Sequence, residues 1–160
     1  MADSQLARLA KPFPDKLIHN NPSGGGSYVK HSVVKQKLIA VTGAYDWAIV
    51  QVIRGRVAAI APNPQSTSKR GKEGRPELDD AVVGCVGRLT LHFDTGSRTC
   101  DGVGDCEEPH NWNHDGQRLK DAESDAIKRA ASHFGAGLHL WAPGEFILYD
   151  QLAGRGDGES

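Results

Sequence analysis

Four residues in one short span carry the donor atoms that zinc favours: Cys100, Cys106, His110 and His114, spaced C-x5-C-x3-H-x3-H. Thiolate and neutral imidazole suit a tetrahedral site. The span has no close CxxC pair, however, and Cys100 falls in a predicted strand. A second reading therefore stands beside the first: one buried small residue, one loop cysteine and two surface histidines. His110-Asn111 and His114-Asp115 have the residue types of a histidine nuclease, yet nothing supplies the other half of such a motif. There is no G-x-S-x-G elbow, no GK[ST] phosphate loop and no HExxH helix. Catalysis needs a converging set of groups, and none can be assembled. Neither an enzyme nor a cofactor is expected.

A different chemistry is offered by cations and aromatic rings. Lys128 and Arg129 are adjacent in an Ala-rich segment, Lys30, Lys35 and Lys37 cluster in another, and Tyr45 and Trp47 follow the glycine after it. Cations along a groove neutralise phosphates, and aromatic faces meet bases without reading their order. That combination suits single-stranded nucleic acid. Trp47 opens a predicted strand and reads more readily as core.

These groups need elements to hold them. In residues 121–140, a rotation of ~100° per residue brings Leu119, Ala122, Ala126, Ala130 and Phe134 onto one arc, widened by Ile127 and Ala131. Lys128 and Arg129 lie off that arc with Asp121, Asp125 and Ser132, and Glu123 is a polar blemish inside it. Gly135 and Gly137 end the helix, since glycine adopts the left-handed cap without a Cβ clash. Residues 4–11 predict a short helix capped by Ser4, with Leu6, Leu9 and Ala10 as its apolar stripe and Pro12 and Pro14 stopping it. Residues 19–27, with three consecutive glycines, read as a plain loop.

A second helix is predicted from Lys30 to Gly43, with Val34, Leu38 and Val41 on one face. A strand follows over residues 48–53, and Arg54-Gly55-Arg56 is expected to turn the chain. Residues 61–80 have no apolar period and form a long exposed loop, expected to be flexible, whose Lys69, Arg70, Lys72 and Arg75 could touch phosphate but read more readily as solvated. Residues 81–93 form the strongest strand, with Arg88, Thr90 and His92 alternating against Leu89, Leu91 and Phe93. A tight turn at Asp94-Thr95-Gly96-Ser97 returns the chain along residues 98–103, and Gly102 to Asp105 closes the strand. The simplest solution is an α+β fold, a three-stranded antiparallel sheet with helices packed against it.

At 160 residues with a formal net charge of -1, the chain suits one domain and excludes a uniformly basic binder, so any contact with nucleic acid comes from local cation clusters. No apolar run approaches 18 residues, the first residues lack the core of a signal peptide, and three cysteines do not make a disulfide framework. The expected location is the cytoplasm.

The run D-A-x-S-D-A-x-K-R-A-A-x-x-F-G-x-G over residues 121–137 resembles the hallmark helix of the Rad52 family of single-strand annealing proteins, especially its short bacterial and phage members. Three further blocks are similar and in the same order: residues 6–14 (LARLAKPFP), residues 28–47 ending in G-A-Y-D-W, and residues 83–104 (VGCVGRLTLHFDTGSRTCDGVG). The resemblance covers roughly residues 6–140. It implies a β-β-β-α core and assembly of identical subunits into a ring. It implies single-stranded DNA in a basic groove, annealing of complementary strands without ATP in recombination and repair, and no catalytic residue. A phage or host exonuclease or a single-strand-binding protein is an expected further partner. Residues 1–150 would be the annealing domain and residues 151–160 a disordered tail.

By the same resemblance, Lys128 and Arg129 match the groove-lining pair. The third basic position of that helix is Ser132, with His133 beside it. The basic position of the second helix falls near Val33, so Lys35 takes that part only in a shifted register, and Tyr45 stands one place beyond the aromatic that follows the glycine. The expected DNA-binding residues are thus Lys128, Arg129, Lys35, Lys37, Lys30, Tyr45 and His133. The competing expectation is a zinc-binding nucleic-acid protein built on Cys100, Cys106, His110 and His114.

Overall fold

In the computed structural model, which describes residues 4–22 and 24–155, the chain begins with α1 (Gln5–Ala10). The Ser4 hydroxyl accepts from the Ala7 N–H at 3.1 Å, the expected cap. The buried face is Ala7, Leu9 and Ala10, while Leu6 stays 44% exposed, so Ala7 takes the place expected of Leu6. Two short strands, β1 (His19–Asn20) and β2 (Ser27–Tyr28), pair antiparallel where a plain loop was expected. Gly24 and Gly26, with φ of 81° and 91°, let the chain double back between them.

Helix α2 (His31–Thr42) starts at Lys30 and stops at Gly43, whose φ is 79°. It buries Val34 and Leu38. Strand β3 (Asp46–Val57) runs past the expected turn: Arg54 and Gly55 lie opposite Val82 and Ala81. The arginines are tolerated there because Arg54 binds Asp80 and Asp115, at 3.0 and 2.8 Å, and Arg56 pairs with Glu77. The segment 61–77 is closed at its base by the Ile60–Arg75 bridge and carries a helical turn, α3 (Lys69–Glu73), capped by Ser68. Residues 78–80 belong to β4 (Leu78–Phe93), so the expected loop is shorter than its sequence span.

A turn at Asp94-Thr95 leads to β5 (Gly96–Asp105), and the three long strands form one antiparallel sheet in the order β3-β4-β5. This is the expected α+β core, with the β1–β2 hairpin added. The alternation along β4 also holds: Leu89 and Leu91 are fully buried, and Arg88 and His92 are exposed. On the outer face, Arg88 forms two bonds to Asp101, Thr90 meets Thr99 at 2.8 Å, and His92 bridges Ser97 and Asp46. Val103, opposite Val86 in the register, is 52% exposed.

The inner face is covered by α4 (Asp115–Ser132), which starts six residues ahead of the motif and buries Ala122, Ala126, Ile127, Ala130 and Ala131 as expected. Gly102 and Gly104 do not end β5; they let α4 touch it. A Cβ on Gly104 would stand 2.1 Å from the Ala122 carbonyl oxygen and 2.4 Å from the Ala126 nitrogen, and one on Gly102 would stand 2.4 Å from the Ala126 oxygen. Glycine on the strand and alanine on the helix thus put two backbones in contact.

The core has two parts. The larger joins Leu9, Phe13, Val34, Leu38, Leu89, Leu91, Ala130 and Ala131, and the smaller joins Cys85, Cys106, Ala122 and Ala126. Trp47 packs against both, with its ring lying where a Gly87 side chain would be. After Gly135 and Gly137, at φ of 92° and 76°, the chain ends in α5 (Leu148–Gly154), so the expected tail boundary at 151 falls inside a helix. Residues 156–160 lie outside the described residues.

Candidate nucleic-acid interface

The first turn of α4 is anchored by a network that the sequence reading missed. Arg118, only 7% exposed, donates to the carbonyls of Pro109 and Trp112 at 2.9 and 2.7 Å and to Asp115 at 3.0 Å. Asp115 also accepts from the Val82 N–H and from Arg54. The Val82 N–H and then the Arg54 guanidinium hold its carboxyl down at about 2. With that end pinned and its alanines against the sheet, α4 carries Lys128, half-buried, and Arg129, exposed, off its buried face.

Arg129 is already oriented. Its Nε donates to Asp125 Oδ2 at 3.0 Å, and its guanidinium centres 5.8 Å from the Trp141 ring. Asp125 in turn accepts from the Asp105 N–H at 3.2 Å. Lys128 belongs to a second cluster. The imidazole of His31, at the start of α2, is pushed below its ordinary pKa by burial, then by the charges of Lys35 and Lys128, and raised less by Glu123. Lys35 and Lys128 therefore act on the same imidazole from two helices. Glu123, the blemish on the helix arc, accepts from the Trp47 indole N–H at 2.9 Å. Tyr45 is half-buried beside the main core, and burial, then Glu123, raise its hydroxyl pKa.

The other expected residues sit differently. Lys37 faces away from this cluster: its ammonium lies 4.3 Å from the centroid of the Phe13 ring and donates to the Lys11 carbonyl. Burial, then the Lys11 charge, lower its pKa to about 8. Lys30 is the exposed N-cap of α2, and His133 is the exposed C-cap of α4. The Ser132 hydroxyl turns back to the Arg129 carbonyl at 2.6 Å. Lys128 and Arg129 thus line one cleft, and Lys35 acts with Lys128 on His31.

The zinc constellation does not assemble. Cys100 donates its thiol to the Ala130 carbonyl at 3.1 Å, and Cys106 is buried in the smaller core, close enough to Asp121 to hydrogen-bond. Burial is the leading cause that pushes both thiols up to about 11, against the thiolate that zinc requires. His110 Nε2 is 2.8 Å from the Ala58 carbonyl, and His114 is the exposed N-cap of α4. Among the described residues, no group of three or more His, Cys, Asp or Glu could hold a metal ion, and no helix is long and apolar enough to cross a membrane.

Residues the sequence reading passed over complete the surface. Gly25, Tyr28, Leu140 and Trp141 line a cleft with Lys128 and Arg129. On the other side of the same two cations lies an acidic depression formed by Asp105, Glu107, Asp121 and Asp125. The Asp125–Arg129 spacing of four was visible in the sequence; the approach of His31 and Trp141 was not. No curated protein matches the chain. Residues 2–144, most of the chain, match the Rad52/22 family of double-strand break repair proteins, and the chain belongs to that family.

Proposed function

We propose that this protein binds single-stranded DNA along the exposed side of α4 and anneals complementary strands without nucleotide hydrolysis. Family membership supports a part in DNA recombination and repair and DNA as the partner. The observation that carries the finer reading is the helix itself. α4 is fixed to the sheet by backbone contact at Gly102 and Gly104, so Lys128 and Arg129 stand side by side at one cleft on a rigid base.

In a chain of formal net charge -1, such a local cluster supplies phosphate neutralisation that overall charge does not. Neutralised phosphates no longer repel a second strand, and base pairing then supplies the selectivity. A ring of identical subunits would join these clusters into a track. The outer face of the sheet, where Val103 is half exposed, supports contact between copies. A phage or host exonuclease or a single-strand-binding protein would act before or beside it, in a bacterial cytoplasm.

The test is Lys128→Ala with Arg129→Ala. Annealing of complementary oligonucleotides should be lost while the oligomer measured by light scattering stays intact, because neither side chain is in the core. Binding by the wild type should weaken steeply with salt, as counterion release requires. A double variant that anneals normally would place the DNA elsewhere.

A further inference from the structure

Trp141 is 49% exposed, although tryptophan is ordinarily largely buried. It follows the glycine turns that end α4, which bring its ring to Arg129. The cleft beside it, ≈ 160 Å³, has Val29, Val34 and Ala136 among its apolar lining, Tyr28 from the β1–β2 hairpin, and Lys128 and Arg129 at its cationic side. Tyr28 is 40% exposed. Trp47 offers no such surface, since its ring is packed across Gly87 and its N–H is committed to Glu123. Trp112 lies toward the opposite end of α4, where its carbonyl accepts from Arg118.

We infer that this cleft receives a nucleobase, with Trp141 as the stacking surface, Tyr28 as a further aromatic wall, and Lys128 and Arg129 holding the phosphate of the same nucleotide. This deepens the proposed binding of single-stranded DNA and rests on it. The apolar and aromatic walls suit a planar ring, and at the cationic side an anion takes the place of Asp125, which also lines the cleft and accepts from Arg129. An aromatic face accepts any base, because every base has a π-face, so the cleft adds affinity without sequence preference. Sequence-blind grip is what a strand-annealing protein requires. The Arg129 guanidinium lies over one face of the Trp141 ring at 5.8 Å, so the base takes the other face and its phosphate stays within reach of Arg129. Arg129 thus belongs to both parts: it lies over the ring that stacks and points its charge where the phosphate arrives.

The experiment compares two strands of equal length, an oligothymidylate and an abasic deoxyribose-phosphate strand, each titrated against the full chain. Wild type should bind the base-bearing strand about tenfold more tightly, as one aromatic stacking contact provides. Trp141→Ala should bring the two affinities together, and Trp141→Phe should keep most of the difference. Oligothymidylate should quench tryptophan fluorescence in the wild type, and Trp141→Phe should remove that quench. Equal wild-type affinity for both strands, with normal salt dependence and no quench, overturns the base cleft and leaves the phosphate reading standing. Failure of the wild type to bind either strand overturns both. The wild-type comparison needs no variant, so a folding defect in Trp141→Ala does not protect the proposal.

Discussion

Replacing Gly104 by alanine adds one methyl group and tests whether backbone contact between α4 and β5 holds in place the helix proposed to face DNA. The new Cβ would stand 2.1 Å from the Ala122 oxygen, 2.4 Å from the Ala126 nitrogen and 2.9 Å from the Ala126 Cα. All three are main-chain atoms, so no side-chain rotation relieves the clash. Ordinary contact begins at 3.4 Å, so α4 must lift by about 1.3 Å or β5 must bend away. Overpacking typically costs ~1–3 kcal/mol, and a clash against backbone on both sides of the contact belongs at about 3. At roughly 2–4 °C per kcal/mol for a chain of this size, the melting temperature should fall by about 6–12 °C.

The matched control is Gly116→Ala, in the first turn of α4, where an added Cβ meets nothing within 4 Å. It should stabilise the helix by up to ~1 kcal/mol. Thermal unfolding followed by circular dichroism, at one fixed protein concentration, reads both. A Gly104→Ala variant that melts with the wild type would refute the claim that the glycines set the height of α4. A variant that melts low but anneals normally at temperatures well below its own midpoint would separate stability from the positioning of Lys128 and Arg129.

Two further outcomes follow from the placement of the remaining cations and histidines. Lys35→Ala should lower the slope of log affinity against log salt by about 0.7, one single-strand phosphate contact, whereas Lys37→Met should leave that slope unchanged because Lys37 lies over Phe13. Equal effects on the salt slope would mean that α2 meets the strand by another face. His139 lies between the Phe13 and Phe146 rings, and neither of its ring nitrogens has a hydrogen-bond partner among the described residues. Burial, then the Lys37 charge, hold its pKa below 6.5, so the folded chain refuses a proton that the unfolded chain accepts. Its contribution is therefore full above about pH 6.5 and is lost as pH falls below it. The melting temperature should decline between about pH 7 and 5, and His139→Leu should flatten that decline, the remainder belonging to His31, whose shift has the same sign. An unchanged pH profile in His139→Leu would remove the histidine from the account.

What could be read from the sequence follows from which residues act locally. The alanine arc of α4 was legible because helical period and small volume leave one solution, and the alternation along β4 was legible for the same reason in period two. Arg54, Gly55 and Arg56 read as a turn, since the partners that keep them in a strand, Asp80 and Asp115, lie 26 and 61 residues away. Gly102 and Gly104 have the look of strand terminators until the alanines opposite them are known. Glu123 was a misfit on its arc, and Trp47, 76 residues earlier, supplies its partner. At the interface, the Lys128–Arg129 pair was visible, but its link to Lys35 and His31 depends on how α2 crosses α4. Trp141 sits in a short apolar segment with no period, and only the path of the chain after Gly137 brings it to Arg129.

The bond from Arg129 to Asp125 has a consequence for turnover. The carboxylate is tethered one helical turn away, so it is an anion at fixed local concentration that dilution of bulk salt does not remove. Were a phosphate to bind Arg129 as proposed, it would displace that carboxylate, and on release the guanidinium would return to it. Arg129 is therefore never left bare, and its hold on any one phosphate is an exchange between two anions. On the proposed reading, that makes letting go nearly as easy as taking hold. A protein whose product is a duplex must surrender both strands each time it succeeds.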